Sequence, residues 1–325
     1  MNNKEKDHHA SPIEIAGGAR QINTVGNGLS RSTGAEGHGP LSIGHHLVTL
    51  LGVTVAYEVR GRGPVCVIHS GGPGIESAYL RMPEVEEHVT AVYIDPVGTG
   101  KSGRIANGDY SVENYAAFAH ALIQTFPGRR AFFLGHSHGG FVALQLALDH
   151  AEDLLGVIVY DGAPTNGHDY LVEASNRMHQ FAARFPGNSA AEDAEAAWVD
   201  NSTGRLPITD AASYLKLLQR MLPAYLADFT SSPVDPERMA QAIAVTWDPN
   251  RKADPWDIRG RLSSIHVRTL VIVGAYDFIC GPRWASEMQA GVAAATLVSF
   301  DHSGHFAHLE EPTAFADSVG SFVQR

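Results

Sequence analysis

Ser137 stands in the stretch LGHSHGG, residues 134–140, between one apolar run and the next. A serine hydroxyl is a weak nucleophile at neutral pH. It needs a neighbouring base, and the base needs a group that orients it. Gly135 and Gly139, two positions to either side, remove side chains that would clash in a sharp strand-to-helix turn, and such a turn lifts the hydroxyl clear. Partners lie downstream. The run VIVGAYD ends in Asp277, and the stretch DHSGHFAHLEEP carries His302, His305 and His308. The chain order is Ser, Asp, His, and each candidate falls where a parallel sheet presents the carboxyl ends of its strands. The chemistry such a set could do is acyl transfer through a covalent intermediate on serine.

His305 is taken as the base, because it follows Gly304 in the loop after the last apolar run. His302 and His308 read as surface or helix-start histidines. His136 and His138 flank Ser137 too closely to act as its base and are expected to line or floor the pocket. The spacing His302-x-x-His305-x-x-His308 could suit a metal. No carboxylate-rich helix or H-E-x-x-H accompanies it, so no metal is expected. Attack by serine leaves negative charge on the substrate oxygen, and donors must face that position. One is the backbone N–H of His138, which opens the helix after the serine. The other belongs in the loop HSGGPG, residues 69–74, where Gly71 and Gly72 let the backbone approach a substrate and Pro73 stiffens the turn.

A frame must bring these loops together. The runs PVCVIHSGGPG, VTAVYIDPVGTG, RAFFLGHSHGG and LLGVIVYDGAP are apolar throughout. Between them lie helical patterns such as SVENYAAFAHALIQTF, where Ser111 suits an N-cap and Tyr115, Phe118, Leu122 and Phe126 recur at helical spacing. Strands of that kind predict an α/β fold with a mostly parallel sheet and helices on both faces. A hairpin is predicted around Gly52. Residues 1–42, polar and glycine-rich, read as a flexible leader. The core then runs over 43–163 and 256–325. The intervening 164–255 reads as helices without a strand, including one long helix over 210–229, and forms an inserted helical cap.

The 325 residues are 44% hydrophobic and 18% charged, the balance of a globular protein with a sizeable core. The net charge of -11 argues against nucleic acid as a partner, since neutralising phosphates needs a basic surface. Two cysteines make no disulfide framework in a chain this long, and Cys66 reads as a small buried hydrophobe. No run reaches the roughly 18 apolar residues that span a bilayer. The opening MNNKEKDHHASPIEIAGGAR lacks the apolar segment of a secretory signal. No membrane partner is expected, and the expected location is cytoplasmic.

The motifs SGGPG, YIDPVGTGKSGR, GHSHGG, GAYD and SGHFAHLEEP, in that order, resemble the α/β-hydrolase superfamily, and within it the proline iminopeptidase-like serine peptidases. The resemblance covers roughly residues 45–165 and 260–325. It implies the α/β-hydrolase fold with a helical cap, a Ser-His-Asp triad and no cofactor. By motif, Ser137 stands in the nucleophile's place, Asp277 in the orienting acid's and His305 in the base's. Gly72 and His138 stand where the oxyanion donors do. Two departures matter. Ser70 occupies the place before GGPG where the family has histidine, and His138 follows the nucleophile where an aromatic residue, tryptophan above all, is common. Iminopeptidases resemble one another in cap glutamates that hold the substrate's free amine. The cap here offers Glu173, Glu192, Glu195, Asp228, Glu237 and Asp248. The expected partner is a small-molecule or short-peptide substrate. The leading expectation is a peptide or amide with an N-terminal proline. The alternative is an ester, lactone or thioester of a small metabolite, and a third reading is a ligand-binding homologue without turnover.

Overall fold

Residues 39–252 and 255–325 are described by a computed structural model, the side chains at 236 and 237 excepted. The leader expected over 1–42 lies outside the described residues as far as position 38. The hairpin forms as the sequence suggests. Strand β1 (Gly44–Leu50) pairs antiparallel with β2 (Val53–Gly61), and the turn between them places Leu51 and Gly52 at φ 49° and 83°. Strands β3 (Val65–His69), β4 (Thr90–Ile94), β5 (Ala131–His136), β6 (Leu154–Tyr160), β7 (Thr269–Gly274) and β8 (Ala295–Phe300) follow. The sheet order is β1-β2-β4-β3-β5-β6-β7-β8, antiparallel at β1 and β2 and parallel elsewhere.

The apolar runs are buried on both faces because side chains alternate. Val67 and Phe133 point into one core, while Cys66, Ile68, Phe132 and Leu134 point into the other. Helices α2 (Val112–Ile123), α3 (His138–Asp149) and α8 (Pro282–Gly291) cover the first face, through Phe118, Leu122, Leu144, Trp284 and Met288. Helices α1 (Pro83–Glu86) and α10 (Pro312–Val323) cover the second, through Val85, Phe315 and Val319. Phe315 and Val319 are fully buried, each worth about 1.5–3 kcal/mol relative to exposure. Ser111 caps α2, its side chain accepting from Asn114 N at 3.3 Å. The short α9 (Ala307–Glu310) precedes α10.

Between β6 and β7 lie α4 (His168–Arg184), α5 (Ser189–Ser202), α6 (Ala211–Met221) and α7 (Pro236–Ala242). The helix expected over 210–229 is shorter than its apolar pattern. It ends at Met221 and passes into a single 3-10 turn over Leu222–Tyr225. Pro223 explains the break, since it has no N–H to donate and its ring clashes with the preceding helical turn. Met178, Phe181, Trp198, Leu217 and Met221 form a core of their own in this helical insert, which also takes in Phe278 after β7 and Phe306 after β8. Both cysteines are free and buried, and burial pushes the Cys66 thiol up to about 12. Among the described residues, no helix is long and apolar enough to cross a membrane.

Candidate active site

Ser137 sits between β5 and α3 at φ 56° and ψ -119°. That region costs a non-glycine residue on the order of 1–3 kcal/mol and persists only where the surroundings enforce it. They do so here. Ser137 N donates to Tyr160 O of the adjacent strand at 2.9 Å, and Ser137 O accepts from Gly140 N at 2.8 Å. A Cβ on Gly135 would lie 1.8 Å from Gly139 O, and one on Gly139 would lie 2.4 Å from His69 O. The two glycines are therefore requirements of the turn. Ser137 Oγ makes no hydrogen bond among the described residues.

Asp277, in the turn after β7, is fully buried. Its Oδ1 accepts from Ile279 N at 2.8 Å and Cys280 N at 3.2 Å, and its Oδ2 lies 2.9 Å from His305 Nδ1. The carboxylate accepts, so His305 carries its proton on Nδ1 and leaves the Nε2 lone pair free. Ser137 and His305 line one cavity. A further acid stands beside this pair. Asp161, just past β6, is fully buried, and its Oδ1 accepts from Gly274 N at 2.9 Å. Burial first, and the Asp277 charge second, push the Asp161 carboxyl well above the usual range. A carboxyl so placed favours its protonated form. The sequence reading passed over it, although Asp161 closes the run VIVYD much as Asp277 closes VGAYD.

On the oxyanion side, the N–H groups of Gly72 and His138 have no hydrogen-bond partner among the described residues. Gly72 has φ 122°, and a Cβ there would lie 2.8 Å from Gly74 N. Ser70 Oγ donates to Ile75 O at 2.7 Å and closes this loop. Of the two histidines expected to line or floor the pocket, His136 lines the cavity. The His138 ring instead packs among His69, Tyr115 and Phe141, at centroid distances of 6.5, 5.2 and 5.7 Å. Burial there holds it well below its ordinary pKa. His302 is exposed, and His308 starts α9 as expected but is buried. Ligand-capable atoms of His136, Asp161 and His305 lie within 4.8 Å of one another. Both His136 nitrogens are already in hydrogen bonds, to Tyr79 and to the His305 carbonyl.

The cavity measures about 130 Å³. Its wall is aromatic and aliphatic, with Tyr170, Tyr214 and Leu218 from the helical insert and Ile75, Ile279 and Phe306 from the loops. No Asp, Glu, Lys or Arg lines it among the described residues. Four of the candidate carboxylates of the insert are engaged elsewhere. Glu173 pairs with Arg283 at 3.4 Å and Glu195 with His179 at 2.9 Å. Asp228 accepts from Thr230 and Ser231, and Asp248 accepts from Tyr110 Oη at 2.7 Å. Glu192 is exposed, and the Glu237 side chain lies outside the described residues. The insert grips the loops by other means. Arg177 donates to the Asp277 and Ala275 carbonyls at 2.6 and 2.7 Å, and Tyr225 O accepts from His305 N at 2.7 Å. Glu310 accepts from Ala227 N and Gly304 N at 2.8 and 2.7 Å. Apart from the Gly304–Glu310 bond, these ties join residues distant in sequence, and no motif announces them.

The family model for the alpha/beta hydrolase fold matches residues 63–312. The chain is 23% identical over 286 residues to a 2-hydroxymuconate semialdehyde hydrolase of Pseudomonas sp. strain CF600, covering 86% of this chain and 94% of that one. It is 24% identical over 284 residues to a proline iminopeptidase of Saccharolobus solfataricus, covering 83% and 87%. An esterase from Exiguobacterium antarcticum has a similar structure, with a TM-score of 0.63 at 20% identity over 86% of this chain and 99% of that one.

Proposed function

This chain belongs to the alpha/beta hydrolase fold family, and we propose that it is a serine hydrolase acting on esters or lactones of small, uncharged carboxylic acids. One observation carries the choice of substrate: among the described residues, no charged side chain lines the cavity that holds Ser137 and His305. A substrate amine would enter as a cation. Leaving it without a counter-charge in an apolar cavity costs several kcal/mol. Glu173, Glu195, Asp228 and Asp248 are spent on other contacts, and none of the described carboxylates lines the cavity, so the peptidase reading lacks its anchor. A neutral acyl group meets no such penalty.

In this reading Ser137 Oγ attacks the carbonyl carbon and its proton passes to His305 Nε2. The oxygen that gains charge is held by the N–H groups of Gly72 and His138. Asp277 holds His305 in the tautomer that exposes Nε2 and stabilises the imidazolium. The imidazolium protonates the departing alkoxide and leaves an acyl-serine. Water, deprotonated by the same nitrogen, then releases the acid. Scaffold and elbow support this route, and the helical insert acts as the cap that excludes bulk water.

The test compares p-nitrophenyl butyrate and a γ-lactone with proline p-nitroanilide, for the wild type and Ser137→Ala. The ester and lactone should turn over, the anilide should not, and the variant should lose on the order of 10⁶ in kcat. Efficient cleavage of the anilide that N-acetylation abolishes would reverse the assignment of substrate. Full activity in Ser137→Ala would remove the mechanism.

A further inference from the structure

The oxyanion loop after β3, the elbow after β5 and the base loop after β8 are joined by one chain of hydrogen bonds. Gly71 N–H donates to Tyr79 Oη at 2.8 Å. Tyr79 Oη lies 2.7 Å from His136 Nδ1, and His136 Nε2 lies 2.9 Å from the main-chain oxygen of His305. A carbonyl oxygen only accepts, so His136 carries a proton on Nε2. Burial, and the neighbouring His305 and His308, hold the His136 ring well below its ordinary pKa and keep it neutral. Its Nδ1 is then an acceptor, and the Tyr79 hydroxyl donates to it. Every donor in the chain points the same way, from Gly71 to His305.

The main chain of Tyr79 is held too. His308 Nε2 lies 3.0 Å from Tyr79 O, which again sets the proton on Nε2. His308 Nδ1, 2.9 Å from Tyr160 Oη, accepts from that hydroxyl. Tyr79 lines the cavity, yet its hydroxyl proton is committed to His136 and its oxygen to Gly71. It has no proton to offer a substrate. By taking the Gly71 N–H, it leaves that of Gly72, the next residue, as a free donor among the described residues.

We propose that Tyr79 and His136 are positioning residues that lock the oxyanion loop to the elbow and the base loop, so that the Gly72 donor and His305 keep fixed places around Ser137. The proposal rests on the serine-hydrolase reading above. Neither residue takes part in bond making. Their work is to hold donors and base in register while charge builds on the substrate oxygen.

Tyr79→Phe removes only the hydroxyl. The expected result with p-nitrophenyl butyrate is a fall in kcat on the order of 10²-fold, the size of effect that follows an ångström of misplacement, with KM within about twofold. An alkyl boronic acid, which imitates the tetrahedral intermediate, should bind more weakly by the same factor as kcat/KM falls. A purely structural role would lower the melting temperature without that proportionality. His136→Gln can still reach the His305 carbonyl but not Tyr79, and should lose a similar factor. The double variant should be no worse than the worse single one, because both cut the same chain. A kcat within about threefold of the wild type in Tyr79→Phe, or losses that multiply in the double variant, overturns the proposal. If the wild type shows no hydrolysis that Ser137→Ala abolishes, it is the serine-hydrolase reading that has failed. The hydrogen-bonded lock is then decided by ¹⁵N NMR of His136, which needs no turnover. A neutral ring protonated on Nε2, whose Nδ1 resonance moves in Tyr79→Phe, upholds it; a cation or an Nδ1–H tautomer overturns it.

Discussion

Gly71→Ala places one methyl group between the oxyanion loop and the nucleophile. A Cβ at position 71 would lie 2.8 Å from Ser137 Cβ, 3.1 Å from Tyr79 Oη and 3.3 Å from Ser137 Oγ. Ordinary contact begins at 3.4 Å, so the shortfall against Ser137 Cβ is 3.4 minus 2.8, or 0.6 Å. Ser137 cannot give way, because its backbone is pinned by Tyr160 O and Gly140 N at 2.9 and 2.8 Å. The loop over 69–74 has to move instead, and the Gly72 N–H moves with it. An ångström of misplacement costs about 10²-fold, so just over half an ångström should lower kcat by roughly 10- to 100-fold with KM little changed. Overpacking of this kind also costs about 1–3 kcal/mol of stability, a fall of several degrees in Tm. Steady-state hydrolysis of p-nitrophenyl butyrate and a thermal melt measure both. Gly135→Ala is the contrast. Its Cβ would lie 1.8 Å from Gly139 O, backbone against backbone, so the elbow should fail to form and the protein should not reach its native fold. A Gly71→Ala enzyme within about threefold of wild-type kcat, or a Gly135→Ala protein that folds and turns over normally, would refute the steric reasoning.

Asp161→Asn replaces a neutral acid with a neutral amide and keeps both an acceptor for Gly274 N and a donor; kcat should stay within about threefold, and a loss beyond about 10²-fold would mean that Asp161 works as an anion. Glu310, raised by burial from 4.5 to about 7, contributes stability that is fully present below its unfolded value and is lost as pH rises through the folded one. Urea denaturation should therefore show Glu310→Gln gaining on the wild type between about pH 5 and about pH 8, and a flat or opposite trend would contradict that burial cost. Burial raises both thiols, so neither Cys66 nor Cys280 should react with a thiol reagent in the native protein, and both should react after unfolding; rapid native labelling would place one at the surface.

The centre of the sheet was readable because β3 to β7 are largely apolar runs that each stop at a polar or glycine-rich turn, a local property of the chain. The elbow around Ser137 was readable for the same reason, since both glycines it needs lie within two positions. What was not readable depends on partners that only the fold supplies. Tyr79 meets His136 across 57 residues of sequence, and Glu310 meets Ala227 across 83. Neither has a spacing or neighbour that marks it. The break at Pro223 was visible in principle, but the apolar pattern running through it argued for one continuous helix. The cavity wall was the least legible part. Which side of α4 and α6 faces Ser137 follows from how the insert packs on Phe278 and Phe306, so the same carboxylates read equally well as substrate anchors or as surface ion pairs.

The helical insert holds every loop that meets at Ser137's cavity. Residues 244–246 bond to Gly74 and Glu76 at 2.7 and 3.0 Å, Arg177 bonds to the turn that carries Asp277, and Tyr225 bonds to His305 N. The helices between β6 and β7 are thus no detachable lid over a self-sufficient machine. A chimera that grafts a foreign insert onto this core inherits a working centre only if the graft restores those grips, and random exchange of inserts will mostly yield folded but silent proteins. The same coupling narrows how substrate preference can drift over generations. Changes to side chains such as Tyr214 and Leu218, which face the cavity without gripping a loop, are open to selection one at a time, whereas Arg177, whose side chain grips the turn that carries Asp277, can be replaced only together with that turn.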